Sequence, residues 1–221
     1  MTTTSSPAAS VRERVPESAP GWYGATDSVA AFERDDVIAL LKAEMQAPLQ
    51  ALQALRATLE EDGLSPDLHE RMSQHTKTLA RRLSLLLEDL VLVTTGGQGR
   101  LALELQDLCL STQVARAAAL FPDVSIYVEG PDVRVRADSL RLQQLLANLI
   151  RTAQREDARP IRLHVTCQDD TVMLGLPRAP SSAGYELDLV RQLALAHGGR
   201  LGHRDGGALL VTLPLARPPR R

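Results

Sequence analysis

Aromatic side chains are scarce in this chain of 221 residues: Phe, Trp and Tyr together make up 3%. A core must therefore be assembled from Leu, Val, Ile and Ala, which favours helix packing. Cysteine is scarce too. Cys109 and Cys167 stand far apart, with no CxxC or Cys/His spacing, so neither a disulfide framework nor a metal site is expected, and both read as buried thiols of a reducing compartment. An excess of either charge is missing: the formal charge is -2, bases alternate with acids, and only Arg217 to Arg221 stands apart as a short basic tail. That pattern argues against a nucleic-acid partner. No apolar run approaches the roughly 18 residues of a membrane span. The stretch MTTTSSPAASVRERVPESAPG has no apolar segment of the secretory kind, so no membrane association and a cytoplasmic location are expected.

What is present is an apolar fraction of 44%, enough for one or two domains. Residues 1–27, rich in Ser, Thr, Pro and Ala, bury little and read as a disordered tail, with Trp22 and Tyr23 as the exception that can dock on folded structure. Residues 28–95 carry a helical period. Val37, Leu41, Met45, Leu49, Leu52, Leu55 and Leu59 mark a first helix, and Leu68, Met72, His75, Leu79, Leu83, Leu86, Leu90 and Val93 a second. Asp62-Gly63 ends the first, while Ser65-Pro66 supplies an N-cap and a proline at the first position of the second. Neither helix buries its stripe in a hairpin alone. Two hairpins paired as a four-helix bundle across a dimer axis are therefore expected, with Leu52, Leu59, Leu79, Leu83, Leu86 and Leu90 on the strip the partner covers.

Residues 96–100 read as a glycine-containing linker, and 101–216 as an α+β domain. Strands are expected over Leu101 to Leu105, Val124 to Val128, Val133 to Arg136, Ile161 to Cys167, Thr171 to Leu176, Leu201 to His203 and Ala208 to Leu213. Helices are expected over Asp107 to Leu120, Ser139 to Arg155 and Glu186 to His197. Gln168-Asp169-Asp170 and Asp205-Gly206-Gly207 are hairpin turns. Without a regular βαβ alternation, the arrangement is a sandwich with helices on one face of a sheet.

One residue interrupts the first helix. In KAEMQAPL, Pro48 removes a hydrogen bond at a cost of roughly 3 kcal/mol. This stretch resembles the H-box of two-component sensor histidine kinases, consensus S-H-E-L-R-T-P-L: Glu44, Pro48 and Leu49 match, and Met45 stands at the Leu position. ADSLRLQQLLANLIRTAQR resembles that family's N-box through Asp138, Arg141, Leu142, Gln144, Leu146 and Asn148. AGYELDLVRQLALAHGGRL resembles its last glycine box and the following helix through Leu187, Val190, Ala196, His197, Gly198 and Gly199. The resemblance covers about Ala31 to Leu215 and implies a dimerisation hairpin followed by an ATPase-like domain, with the proline kinking the first helix just after the phosphoacceptor.

The departures from the pattern bear on chemistry. The phosphoacceptor histidine of the family falls on Ala43, which bears no nitrogen to phosphorylate. The N-box asparagine that the family uses to hold Mg²⁺ falls on Thr152. The D-x-G-x-G box is replaced by GLPRAPSSAG, which lacks the aspartate for the adenine amine. Of the last glycine box only Gly184 remains, followed by Glu186, and the long ATP lid between the two boxes is reduced to a few residues. The nucleotide site thus reads as vestigial, marked by Asn148, Thr152 and Gly184, and no cofactor is expected.

His75 is the remaining acceptor candidate, although its place between Met72 and Leu79 reads as a packed, hydrogen-bonded core histidine. His69, near the turn, reads as solvated. Two functions from different classes follow. The first is a non-catalytic scaffold of two-component signalling that binds a receiver domain or a partner kinase through the surface of Ala43, Glu44, Gln46, Ala47 and Gln50, with Arg81 or Arg82 at the rim. The second is an ATP-independent histidine phosphotransferase of the same fold that uses a non-standard acceptor such as His75; an active histidine kinase is the third and weakest reading.

Overall fold

The computed structural model describes residues 22–24, 34–59, 65–95, 101–155, 160–177, 184–204 and 208–216. The first strand, β1 (Trp22–Gly24), already corrects the expectation of a tail without structure, because it pairs antiparallel with Gly202 to Arg204. The first helix, α1 (Arg34–Leu59), starts on Asp35 and Asp36 and ends near Arg56, charges that complement the helix dipole. Pro48 lies inside it and is buried with Val37 and Leu41. The second helix, α2 (Pro66–Thr94), begins where Ser65 adopts an extended conformation and its hydroxyl accepts from the Leu68 N–H at 3.3 Å. The stop at Asp62-Gly63 lies outside the described residues.

Two buried rows run along α2. Met72, Leu79 and Leu86 repeat every seven residues, and Leu85, Asp89 and Leu92 form a second row at steps of four and three. Leu79 and Leu86 are therefore already covered within one chain, at 9% and 2% exposure, rather than lying on an open strip. The apolar side chains left open are different ones: Leu68, Leu87 and Val91 on α2, Leu40 and Leu49 on α1.

The α+β domain opens with β2 (Leu105–Cys109) and α3 (Leu110–Ala118), not with a strand over Leu101 to Leu105 and a helix from Asp107. Leu105 to Cys109 pair antiparallel with Arg134 to Asp138. The helix cannot start before Leu110, whose N–H donates to the Val133 carbonyl, while the Ser111 N–H donates to Asp132 Oδ1. Next come β3 (Ile126–Glu129), β4 (Arg134–Asp138), α4 (Ser139–Arg155), β5 (Ile161–Gln168), β6 (Thr171–Leu176), α5 (Tyr185–Ala196), β7 (Arg200–Arg204) and β8 (Ala208–Pro214). One sheet has the order β1-β7-β8-β6-β5-β3, with β3 parallel to β5 and the other neighbours antiparallel; β2 and β4 form a second, two-stranded sheet. Asp169 sits at φ 51° in the tight turn between β5 and β6, a conformation that aspartate tolerates better than most residues.

The core is aliphatic, as a chain so short of aromatics requires. Leu142, Leu145, Leu146 and Leu149 on α4 and Leu189, Val190 and Leu193 on α5 meet Val165, Leu174, Val211 and Leu213 of the sheet. Each large aliphatic side chain so buried contributes about 1.5–3 kcal/mol. Where α5 ends, Gly198 takes φ 78° after the helix, and a Cβ at Gly199 would overlap the Thr212 carbonyl of β8. The AHGG sequence is thus a turn that seats β7 beside β8. The two thiols are less covered than expected, with Cys109 half-buried and Cys167 exposed. Among the described residues, no helix is long and apolar enough to cross a membrane.

Candidate functional site

Eleven of the residues of α4 are buried, and four of these are polar: Gln144, Asn148, Arg151 and Thr152. At steps of four, three and one they share a face, and three of them meet Asp89 of α2. The Asp89 carboxylate is fully buried and accepts from Gln144 Nε2 at 2.6 Å, from Asn148 Nδ2 at 3.1 Å and from Arg151 Nη2. Burial pushes the Asp89 carboxyl up, against the pull of Arg151 and the two amides. For Arg151, burial alone would lower the pKa, but Asp89 beside it reverses the direction and holds the guanidinium charged.

Arg151 also reaches α1, where its Nη1 donates to Glu44 Oε2 at 3.1 Å, and it touches the Tyr185 hydroxyl at 3.3 Å. Arg155, one turn on, lies 3.5 Å from Glu44 and 2.7 Å from Glu186. A further ion pair joins Arg141 to Glu88 of α2 at 2.8 Å, and the Arg82 guanidinium stacks over Phe121 at 5.5 Å from the ring centroid. The hairpin and the α+β domain are thus joined by charged side chains from α1, α2, α4 and α5.

This network falls on the positions where the nucleotide site was expected. Asn148 is fully buried and spends its amide on Asp89, leaving its carbonyl oxygen without a partner among the described residues; the Thr152 hydroxyl, at 3% exposure, is also without one. Gly184 precedes α5 in an extended conformation, and the Glu186 carboxylate folds over it so closely that a Cβ there would collide with Oε2. The start of this helix, where backbone N–H groups favour an anion, already carries a buried carboxylate. Burial raises the Glu186 pKa, with Arg155 and Arg151 opposing. The start of α5 does not fit a nucleotide phosphate, because a carboxylate stands where a phosphate would approach. The stretch that replaces the lid, residues 178–183, lies outside the described residues. No group of three or more His, Cys, Asp and Glu among the described residues is placed to hold a metal.

On the hairpin, Ala43, Gln46, Ala47 and Gln50 are exposed on α1. Glu44 departs from them, because its carboxylate turns inward to the two arginines. His75 corrects the expectation of a packed histidine, since it is exposed although Met72 and Leu79 on either side are buried. His197 is the histidine that is packed: at 4% exposure its Nε2 accepts from the Asp138 N–H at 3.1 Å, while Nδ1 lies 2.7 Å from the Leu193 carbonyl. These contacts fix the neutral tautomer with the proton on Nδ1, and burial lowers the pKa. The sequence reading missed Asp89 and Arg151 altogether. The signal available was an acid inside the apolar run LSLLLEDLVLV and a polar row on an otherwise apolar helix.

No protein-family model matches the chain. The signal transduction histidine-protein kinase AfsQ2 of Streptomyces coelicolor is 27% identical over 223 residues, which cover 82% of this chain and 42% of the relative. The chain therefore spans less than half of that protein. Among solved structures, full-length ShkA in complex with AMPPNP superposes with a TM-score of 0.50 at 20% identity, covering 85% of this chain and 48% of ShkA. The Acinetobacter baumannii histidine kinase AdeS gives a TM-score of 0.47 at 17% identity over 79% of this chain and 98% of that one. The hairpin and the α+β domain that follows it have the fold of a histidine kinase core, and over most of its length the sequence is similar to that of AfsQ2.

Proposed function

We propose that the chain is a non-catalytic histidine kinase core, a scaffold that binds a receiver domain or a partner kinase through its hairpin. The observation that carries this reading is the Glu186 carboxylate that covers the start of α5, near an Asn148 amide already bound to Asp89. Ala43 at the phosphoacceptor position supports it from the other half of the molecule. The exposed surface of Ala43, Gln46, Ala47 and Gln50 suits docking, since small side chains admit close approach and uncharged amides cost less to desolvate than charges. Two copies pair through their hairpins on this reading, with Leu87 and Val91, exposed at 49% and 53%, on the shared face. The core acts in the cytoplasm, where its receiver partners are found.

A second reading rests on one observation, the exposure of His75. An exposed imidazole can accept a phosphoryl group from a phosphorylated receiver domain and return it to another, without ATP. One experiment separates the two. The chain is incubated with phosphorylated receiver domains, and both complex formation and acid-labile phosphate on the chain are followed. The scaffold reading expects a complex that Ala47→Arg abolishes and His75→Gln leaves intact, with no phosphate on the chain. Acid-labile phosphate that appears on the parent chain and vanishes in His75→Gln establishes the phosphotransferase instead.

A further inference from the structure

The ion pairs between hairpin and domain are built unlike surface contacts. The Asp89 carboxylate is fully buried, Arg151 is exposed by only 8%, and two amides complete the shell around them. Removing such a pair from water is costly unless every partner is in place, so the network holds in one relative placement of the two halves and is lost in others. It is also continuous with the hairpin surface, because Arg151 contacts Glu44, whose neighbour Ala43 is exposed on α1.

We propose that Asp89, Gln144, Asn148 and Arg151 form an interdomain latch that fixes the α+β domain in a single orientation on the hairpin, with Glu44 and Arg155 extending it to α1. Polar residues on α4, instead of receiving a ligand, receive the second helix of the hairpin. Arg141 with Glu88, and Arg82 over Phe121, support the same placement from either side. The consequence is a core that presents α1 and the α+β domain as one rigid surface. The inference goes beyond the docking reading and is tested on the chain alone, so either can fail without the other.

The test is a distance distribution between two spin labels, one on exposed Cys167 of β5 and one introduced by Gln74→Cys on exposed α2, in a Cys109→Ser background. Labelled chain is diluted with unlabelled chain so that only distances within a chain are read. A single narrow distribution is expected for this protein. Two variants are compared with it: Asp89→Leu/Arg151→Leu, which removes both charges together, and Asp89→Asn, which keeps the shape of the side chain. Broadening in whichever variant retains a folded domain supports the latch. A broad distribution before any latch substitution, or a narrow one kept in the folded variants, overturns it. Loss of cooperative folding in both variants also overturns it, because the network would then belong to the core and not to a separable contact.

Discussion

Arg151 is held between two carboxylates from different helices, and what its removal costs depends on which group is left behind. In Arg151→Met the Asp89 carboxylate stays buried with only two amides, and a loss of about 3–5 kcal/mol is expected. Urea denaturation measures it, and a loss under about 1 kcal/mol, the scale of a surface pair, would show that Asp89 is not buried as described. His197 gives a pH signature. Its folded pKa is lowered, so the unfolded chain binds the proton first, and the stability it contributes is present above the unfolded value of about 6.5 and lost as pH falls below it. Glu186 works in the opposite sense, its raised pKa weakening the fold as pH rises above the ordinary range of a glutamate. The comparison with His197→Gln isolates the histidine: the parent's advantage should grow between pH 5 and pH 7, and an advantage constant across that range would contradict a buried neutral imidazole. At this scale the sequence was only partly readable. Ala43 and Thr152 stood out against a known motif, whereas Asp89 and Arg151 lie 62 residues apart and nothing local marks them as partners.

The hairpin shows what periodicity can and cannot settle. The ends of α2 were legible because Ser65-Pro66 is a start signal with a mechanism, and the bounds of α4 matched because an amphipathic run of that length has one period. The face each leucine serves was not legible, since α2 has two buried rows and an exposed one, all at steps of three and four. Leu86 looked like part of a dimer strip and lies inside the chain. Dimer disruption is accordingly expected from Leu87→Glu with Val91→Glu, measured by sedimentation equilibrium, with the α+β domain still folded. Leu86→Ala should act otherwise, costing about 2–5 kcal/mol of stability without a specific effect on association. Dimers that survive the double glutamate variant would move the interface elsewhere. The start of α3 failed for a related reason: apolar and polar residues over Leu105 to Cys109 fit either period, and the decision is made by pairing with β4, which is remote in sequence.

Across the whole molecule, the order of hairpin and α+β domain is that of histidine kinase cores, while on the proposed reading the residues at the two places where such cores react are joined to each other or replaced. The Asn148 amide is bound to Asp89, the start of α5 is covered by Glu186, and α1 carries Ala43 where the resemblance to histidine kinases places a phosphoacceptor. On the proposed reading each change has a local effect, and together they turn a nucleotide cleft into an interdomain contact. The same reading leaves the hairpin surface for a partner. Isothermal titration of the chain with ATP and Mg²⁺ tests this most directly. The account predicts no saturable heat at micromolar or submillimolar nucleotide, in the parent chain as in Thr152→Asn, because restoring one ligand does not move Glu186 off the start of α5. Saturable micromolar binding of ATP by the parent chain would contradict it.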